Sequence, residues 1–410
     1  MTRFLFMLAM MLALDVYAFQ AIRYLAQSWA PLTRQIVYGV YWATPVLALL
    51  LMLPMAQVDG MGWSKPVLTL LRAIVIITYF SKFLMAAVML IDDVRRLFTG
   101  VYQQITGTVA VDYSRSRFLS TSAVLLGSLP FITLSYGIFR NPYRYKVFKT
   151  KVPIDDLPEA LEGLKIVQIS DIHSGSFTFK EPVRNAIRMI NEQEPDLVFF
   201  TGDLVNNRAS EMEPFLDVFD KIEAKHGVYS VLGNHDYGDY VPWASPEEKI
   251  ANLNTLQGMQ AQMGWKLLMN EHQLLDIRGE QVAVIGVENY STHMRFPKYG
   301  DLKRAVQGTE GARLKLLLSH DPSHWEAQVL TEHPDIDMTF SGHTHGMQFG
   351  VEIPGWIKWS PVQYVYKQWA GLYSQGSQHL YINRGLGFLG YPGRVGILPE
   401  ITVLELSRKV

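Results

Sequence analysis

Five short stretches of this 410-residue chain place carboxylates, imidazoles and an amide at close spacing. They are Ser170-Asp171-Ile172-His173, Thr201-Gly202-Asp203, Gly233-Asn234-His235-Asp236, Ser319-His320-Asp321 and Ser341-Gly342-His343-Thr344-His345. In an extended segment residues i and i+2 share a face. Asp171 with His173, and His343 with His345, can therefore each approach one cation. Asp203 follows a glycine that permits a tight turn, and a carboxylate can bridge two cations. Asn234 offers a neutral carbonyl oxygen and His320 a further imidazole. This inventory suffices for two divalent ions that share a carboxylate and keep positions for water. A two-metal site of that kind lowers the pKa of a bridging water and clamps a phosphate for in-line attack. The scattered His226, His272, His324, His333 and His379 read as structural or exposed.

Each stretch follows an apolar run of strand length, at 165–169, 197–200, 227–232, 314–318 and 337–340. Ligands of open α/β sheets collect outside the carboxyl ends of strands. Between these runs the periodicity predicts helices over 180–193, 211–224 and 246–263, with Glu-Pro at 181–182 suiting a helix start. Two strand-like runs within 271–288 are split by Arg278-Gly279-Glu280, as in a hairpin. The stretch 363–406 is rich in Tyr, Gly and β-branched residues, as in a second sheet. The alternation implies a layered α/β domain of mixed strand direction over 164–410.

The first 140 residues differ in kind. Charged residues make up 18% of the whole chain and hydrophobic ones 49%, and the shortage of charge lies in this region. Four apolar stretches, 4–22, 36–55, 67–91 and 118–139, approach the ~20 residues of a membrane span. The first has only Arg3 before it, Asp15 inside it and no clear small-residue cleavage site, so it reads as a retained span rather than a signal peptide. Lys82 lies within the third span, with Asp15 a possible partner; snorkelling or a shifted span is the favoured explanation. Basic residues divide almost evenly between the two sides and set no orientation. A turn-rich linker, 141–163, follows, with Asn-Pro at 141–142, Pro153 and Pro158. The net charge of −1 gives no general affinity for nucleic acid. Without cysteine, a metal must be held by oxygen and imidazole nitrogen, which suits manganese, iron or zinc.

Taken in order, Asp-x-His, Gly-Asp, Gly-Asn-His-Asp, a lone His and Gly-His-x-His resemble the calcineurin-like metallophosphoesterases from about Leu164 to Leu406. Thr344-His345-Gly346-x-Gln348, Asn383-Arg384-Gly385-Leu386-Gly387 and Pro399-Glu400-Ile401-Thr402 look like a bacterial membrane-associated branch. The resemblance implies an αββα-type layered domain behind the four-helix transmembrane region. It implies two divalent ions (Mn, Fe or Zn), the first held by Asp171, His173, Asp203 and His345, the second by Asp203, Asn234, His320 and His343. His235 would face the phosphate and assist the leaving group, and Asp236 would orient His235. Met347 and Asn206 depart from the family pattern, where a glycine and often an aspartate stand. Arg384 is a candidate for a phosphate oxygen or for holding the glycine-rich turn.

The expected protein is a multi-pass membrane enzyme hydrolysing a phosphoester or pyrophosphate bond through a metal-bridging hydroxide. The membrane region favours a lipid-linked or nucleotide-lipid substrate. The alternatives are a phosphodiesterase acting on soluble nucleotides and a non-catalytic metal-binding scaffold or sensor. The aromatic stretch 354–373 is expected to lie against membrane lipids or to wall the substrate site.

Overall fold

The computed structural model describes residues 2–51, 65–107, 116–353 and 355–409. The chain divides into two compact units, Met1–Gly137 and Ile138–Val410.

The first unit holds α1 (Thr2–Leu25), α2 (Pro31–Leu51), α3 (Lys65–Thr106) and α4, which starts at Arg117 and ends at Arg140. All four are long and apolar enough to cross a membrane. The end of the second expected span, 52–55, lies outside the described residues. The third helix runs well past residue 91. Its charged segment does not stop it, because Arg95 pairs with Asp92 and Arg96 with Asp93 one turn apart, each at 3.0 Å. Lys82 does not snorkel. Its ammonium lies buried 2.7 Å from Asp15 Oδ1 and 4.2 Å from the centre of the Tyr41 ring, while the Tyr79 hydroxyl donates to Asp15 Oδ2 at 2.8 Å. A buried charge inside an apolar bundle is tolerable when it is paired in this way.

The second unit is built on two six-stranded sheets. The strands are β1 (Lys146–Ile154), β2 (Lys165–Ile169), β3 (Leu197–Phe200), β4 (Val228–Ser230), β5 (Trp265–Leu267), β6 (Glu271–Ile277), β7 (Glu280–Gly286), β8 (Leu314–Leu318), β9 (Met338–Ser341), β10 (Val351–Ile353), β11 (Ile357–Trp359), β12 (Gly371–Gln375), β13 (Gln378–Ile382) and β14 (Glu400–Arg408). One sheet runs β1-β14-β2-β3-β4-β5 and the other β12-β13-β9-β8-β7-β6; β10 and β11 pair only with each other. Neighbours from β2 to β5 are parallel, as are β7, β8, β9 and β13.

Side chains alternate across each strand and divide the core in three. Ile166, Leu197, Phe199 and Tyr229 meet Val282, Leu316, Met338 and Phe340 between the sheets. Val167, Val198 and Phe200 pack outward with Val183, Ile187 and Ile190 of α5 (Lys180–Asn191) and with Leu256 and Met259 of α6 (Pro246–Gln262). Ala283, Ile285 and Leu317 face Leu302, Trp325 and Val329 on the far side. Helices outside two stacked sheets make the αββα sandwich that the resemblance implies.

Three expectations change. Much of the supposed linker 141–163 is β1, paired in parallel with β14 over nine positions from Lys146↔Glu400 to Ile154↔Arg408. An edge strand tolerates its proline and its charges. The helix expected over 211–224 is reduced to short turns and Leu216–Phe219. The segment 363–406 does not form one sheet: β12 and β13 join one and β14 the other. A fragment spanning 141–410 is therefore expected to be soluble and to melt higher than one starting at 150. The shorter fragment loses four cross-strand pairs, at roughly 0.2–1 kcal/mol each. It also loses the Phe148 ring stacked 4.6 Å from the Arg384 guanidinium. Melting temperatures of the two fragments check this, and equal values would remove β1 from the domain.

Candidate metal centre

The carboxyl ends of β2, β3 and β4 in one sheet and of β8 and β9 in the other deliver all five stretches to one place. The chain leaves these strands through left-handed backbone at Asp171 (φ 49°), His173 (47°), Asp203 (62°), His343 (68°) and His345 (50°). Each costs about 1 kcal/mol or more, strain of a kind concentrated at functional sites. The ligand pairs at 171/173 and 343/345 are therefore not extended, and they converge through these turns rather than by strand alternation. Two glycines let the loops close up. A Cβ at Gly342 would stand 1.9 Å from Ser170 Oγ and 2.3 Å from Asp171 Oδ2, and one at Gly233 would stand 2.2 Å from Asp203 Oδ1.

The candidate ligands fall into two groups, Asp171, His173 and His345, and Asp203, His320 and His343, with the ligand atoms of each group within 4.8 Å of one another. In the first, His173 Nε2 lies 3.1 Å from His345 Nε2, which lies 3.2 Å from Asp171 Oδ1. In the second, His320 Nε2 lies 3.2 Å from His343 Nδ1 and 3.2 Å from Asn234 Oδ1. Asp203 Oδ2 stands between the groups, 3.5 Å from His173 Nε2 and 3.3 Å from His320 Nε2. Ligands about 2.0–2.2 Å from one ion are separated by roughly 3.0–3.5 Å, so these spacings fit divalent cations without rearrangement.

The charges fit as well. Burial pushes His173 down to about 3 and His343 to about 4, and it holds His345 well below its usual value, which leaves three neutral imidazoles with lone pairs to give. Burial opposes ionisation of Asp203, yet the imidazoles of His320 and His235 hold it well below the usual carboxylate range. Burial likewise disfavours a charged His320, but Asp203 beside it pushes it up to about 10. A proton on His320 Nε2 sits among Asp203, Asn234 and His343, where a cation would take its place.

The surrounding hydrogen bonds aim the donors. His320 Nδ1 donates to the Thr201 carbonyl at 2.7 Å, which turns Nε2 inward. Asn234 Nδ2 donates to the Tyr240 hydroxyl at 2.9 Å, which turns Oδ1 inward. Asp321 stands 3.6 Å from His343 Nε2 and accepts from Ser323 N–H at 2.8 Å and from the Tyr366 hydroxyl at 3.1 Å. From sequence Asp321 has no task, although it adjoins His320, and Tyr366, 45 residues on, stands out only as one ring of the aromatic stretch.

Two expected roles are corrected. Asp236 does not orient His235. Its carboxylate accepts from the backbone N–H of Asp203 (2.9 Å), Leu204 (2.8 Å), Val205 (3.2 Å) and Gly233 (2.9 Å), clamping two ligand loops together. His235 is oriented instead by the Asn206 carbonyl, 2.7 Å from its Nδ1, so the departure from the family pattern at Asn206 leaves this backbone contact available. Arg384 is buried and committed to Glu400 and Glu352, which takes it away from a phosphate oxygen. Another arginine, Arg394, reaches the site: it donates to the carbonyls of Arg384, Gly385 and Gly387, and its Nη2 lies 3.4 Å from His345 Nδ1. Of the aromatic stretch, Tyr366 and Trp369 belong to a small core with Val362 and Ile397, while Trp356 and Tyr364 are exposed. Pro354 lies outside the described residues.

Comparison with known proteins matches residues 164–347 to the calcineurin-like phosphoesterase family. Residues 2–142 match a probable calcineurin-like phosphoesterase transmembrane domain. A transmembrane protein with metallophosphoesterase domain from Danio rerio is 30% identical over 67% of this chain, which spans 60% of that relative's length. An uncharacterized metallophosphoesterase, YkuE, of Bacillus subtilis (strain 168) is 30% identical over 66% of this chain and 89% of its own length. Phosphodiesterase YaeI of Escherichia coli (strain K12) is 28% identical over 72% of this chain and 99% of its own length.

Proposed function

We propose, for a chain that belongs to the calcineurin-like metallophosphoesterases and carries a multi-pass membrane region, that it hydrolyses a phosphodiester or pyrophosphate bond in a lipid-linked substrate with two divalent ions. The observation that carries this reading is the position of Asp203 Oδ2 between two histidine groups, within 3.5 Å of an imidazole nitrogen of each. Asp171, His173, Asp203 and His345 would hold one ion, and Asp203, Asn234, His320 and His343 the other. The chemistry supplied by two bound divalent ions is Lewis acidity toward water and toward the phosphate oxygens. His235 keeps its Nδ1 proton on the Asn206 carbonyl, so its Nε2 is the atom that exchanges a proton with the substrate. In the doubly protonated imidazolium, Nε2–H donates to the departing oxygen. The membrane region favours a lipid-linked phosphate, and the name of the Escherichia coli relative favours a diester.

Chelation is expected to abolish hydrolysis of an aryl phosphodiester by the purified chain, and manganese, iron or zinc to restore it. Full activity in a verified metal-free sample would sink the mechanism. A panel of lipid-linked diesters and pyrophosphates beside soluble nucleotides then tests the substrate. A higher kcat/KM on soluble nucleotides would overturn the lipid assignment and leave the metal chemistry standing.

A further inference from the structure

The hairpin β10–β11, which begins six residues after His345, is inverted relative to the usual pattern of a soluble protein. Its register pairs Val351 with Trp359, Glu352 with Lys358 and Ile353 with Ile357. Directly opposed residues share a face and neighbours alternate. One face is therefore Val351, Ile353, Ile357 and Trp359, and the other is Glu352 and Lys358. The polar face is the one fastened to the domain. Glu352 pairs with the buried Arg384. Lys358 donates to the Ala370 carbonyl and lies 5.2 Å from the centres of the Trp369 and Tyr373 rings. The apolar face is partly uncovered: Val351 and Ile353 are exposed and Ile357 and Trp359 half-buried, while Met347 and Phe349 before the hairpin and Val365 after it are exposed. Trp356 in the turn and Tyr364 just beyond are each 77% exposed. Apolar surface gathered in one segment marks an interaction site.

We infer that this hairpin docks into the headgroup layer of the bilayer that the chain itself spans. Three observations select a lipid surface. The chain is a multi-pass membrane protein, and its membrane helices and this domain belong to one chain, with only residues 141–145 between α4 and β1. Glu352 is the sole carboxylate in 347–365, and it is ion-paired with Arg384 on the face turned to the domain, so no unpaired carboxylate stands in the segment that would meet an anionic surface. The most exposed rings of the segment are Trp356 and Tyr364, and Trp and Tyr suit the boundary between hydrocarbon and water. The docking goes beyond the proposed reaction and does not depend on which phosphoester is cleaved.

The chain contains no cysteine, so a single label reports one site without background. A nitroxide is attached to full-length Trp356→Cys, and in parallel to Tyr364→Cys and to Lys303→Cys on the exposed polar surface. The chain is reconstituted in nanodiscs of phosphatidylcholine and phosphatidylglycerol. Collision with oxygen, which partitions into lipid, is compared with collision with a water-soluble nickel chelate. Docking predicts nickel accessibility at 356 and 364 severalfold below that at 303, with oxygen accessibility raised. Nickel accessibility equal to that at 303 overturns the proposal. Exclusion of both relaxants, with dipolar broadening that disappears on dilution with unlabelled chain, would assign the face to a second copy and also overturns it.

Discussion

Replacing Asp203 by alanine is expected to abolish turnover and to empty or half-empty the metal site, whereas replacing His235 by alanine should leave the metals and remove a factor of ~10²–10⁴ from kcat. The two residues are neighbours, since the His235 N–H donates to Asp203 Oδ1 at 2.8 Å. Their side chains nevertheless point to different tasks. Asp203 Oδ2 faces one imidazole from each group. Its loss removes the one carboxylate that both ions would share, and it leaves His320 without the anion that raises its proton affinity. The His235 ring is aimed by a backbone carbonyl and packs on the rings of Tyr240 and His173, and it belongs to neither candidate ligand group. Metal analysis of both variants by mass spectrometry, beside steady-state rates, separates these roles. Loss of metal from His235→Ala would show that its ring is a ligand.

The residue types of the centre were legible because each motif is short and contiguous and ends a strand. The geometry was not. Asp171 and His173 come together in one candidate group through left-handed turns, not through the strand alternation expected of them. Partners distant in sequence were hidden as well. Arg394, 49 residues from His345, carries no local signal, and Tyr366, 45 from Asp321, stood out only as one ring of an aromatic stretch. The edge strand β1 resembled a linker because its partner, β14, is the last strand of the chain. The membrane helices were legible from composition alone. The Lys82–Asp15 pair was legible only as one alternative, and the snorkelling preferred to it gave way to a buried ion pair between residues 67 apart in sequence.

Asp236→Asn is expected to lower the melting temperature sharply and to deplete the metal, rather than to slow chemistry alone. Asp236 Oδ2 accepts from the N–H groups of Asp203 and Gly233, and Oδ1 accepts from those of Leu204 and Val205. An amide can present only one oxygen, so its NH₂ must face two backbone donors that no longer have an acceptor. The residue is fully buried, and water is not at hand to replace the lost bonds. Each orphaned buried donor costs ~1–3 kcal/mol, roughly 2–6 kcal/mol for the pair. That is a large share of the 5–15 kcal/mol typical of a folded domain. The loops that would move carry Asp203 and Asn234, so metal affinity should fall together with stability. Thermal unfolding and metal content of the variant give the answer. An unchanged melting temperature and full metal content, with only kcat reduced, would return Asp236 to the role of orienting His235 and remove the clamp.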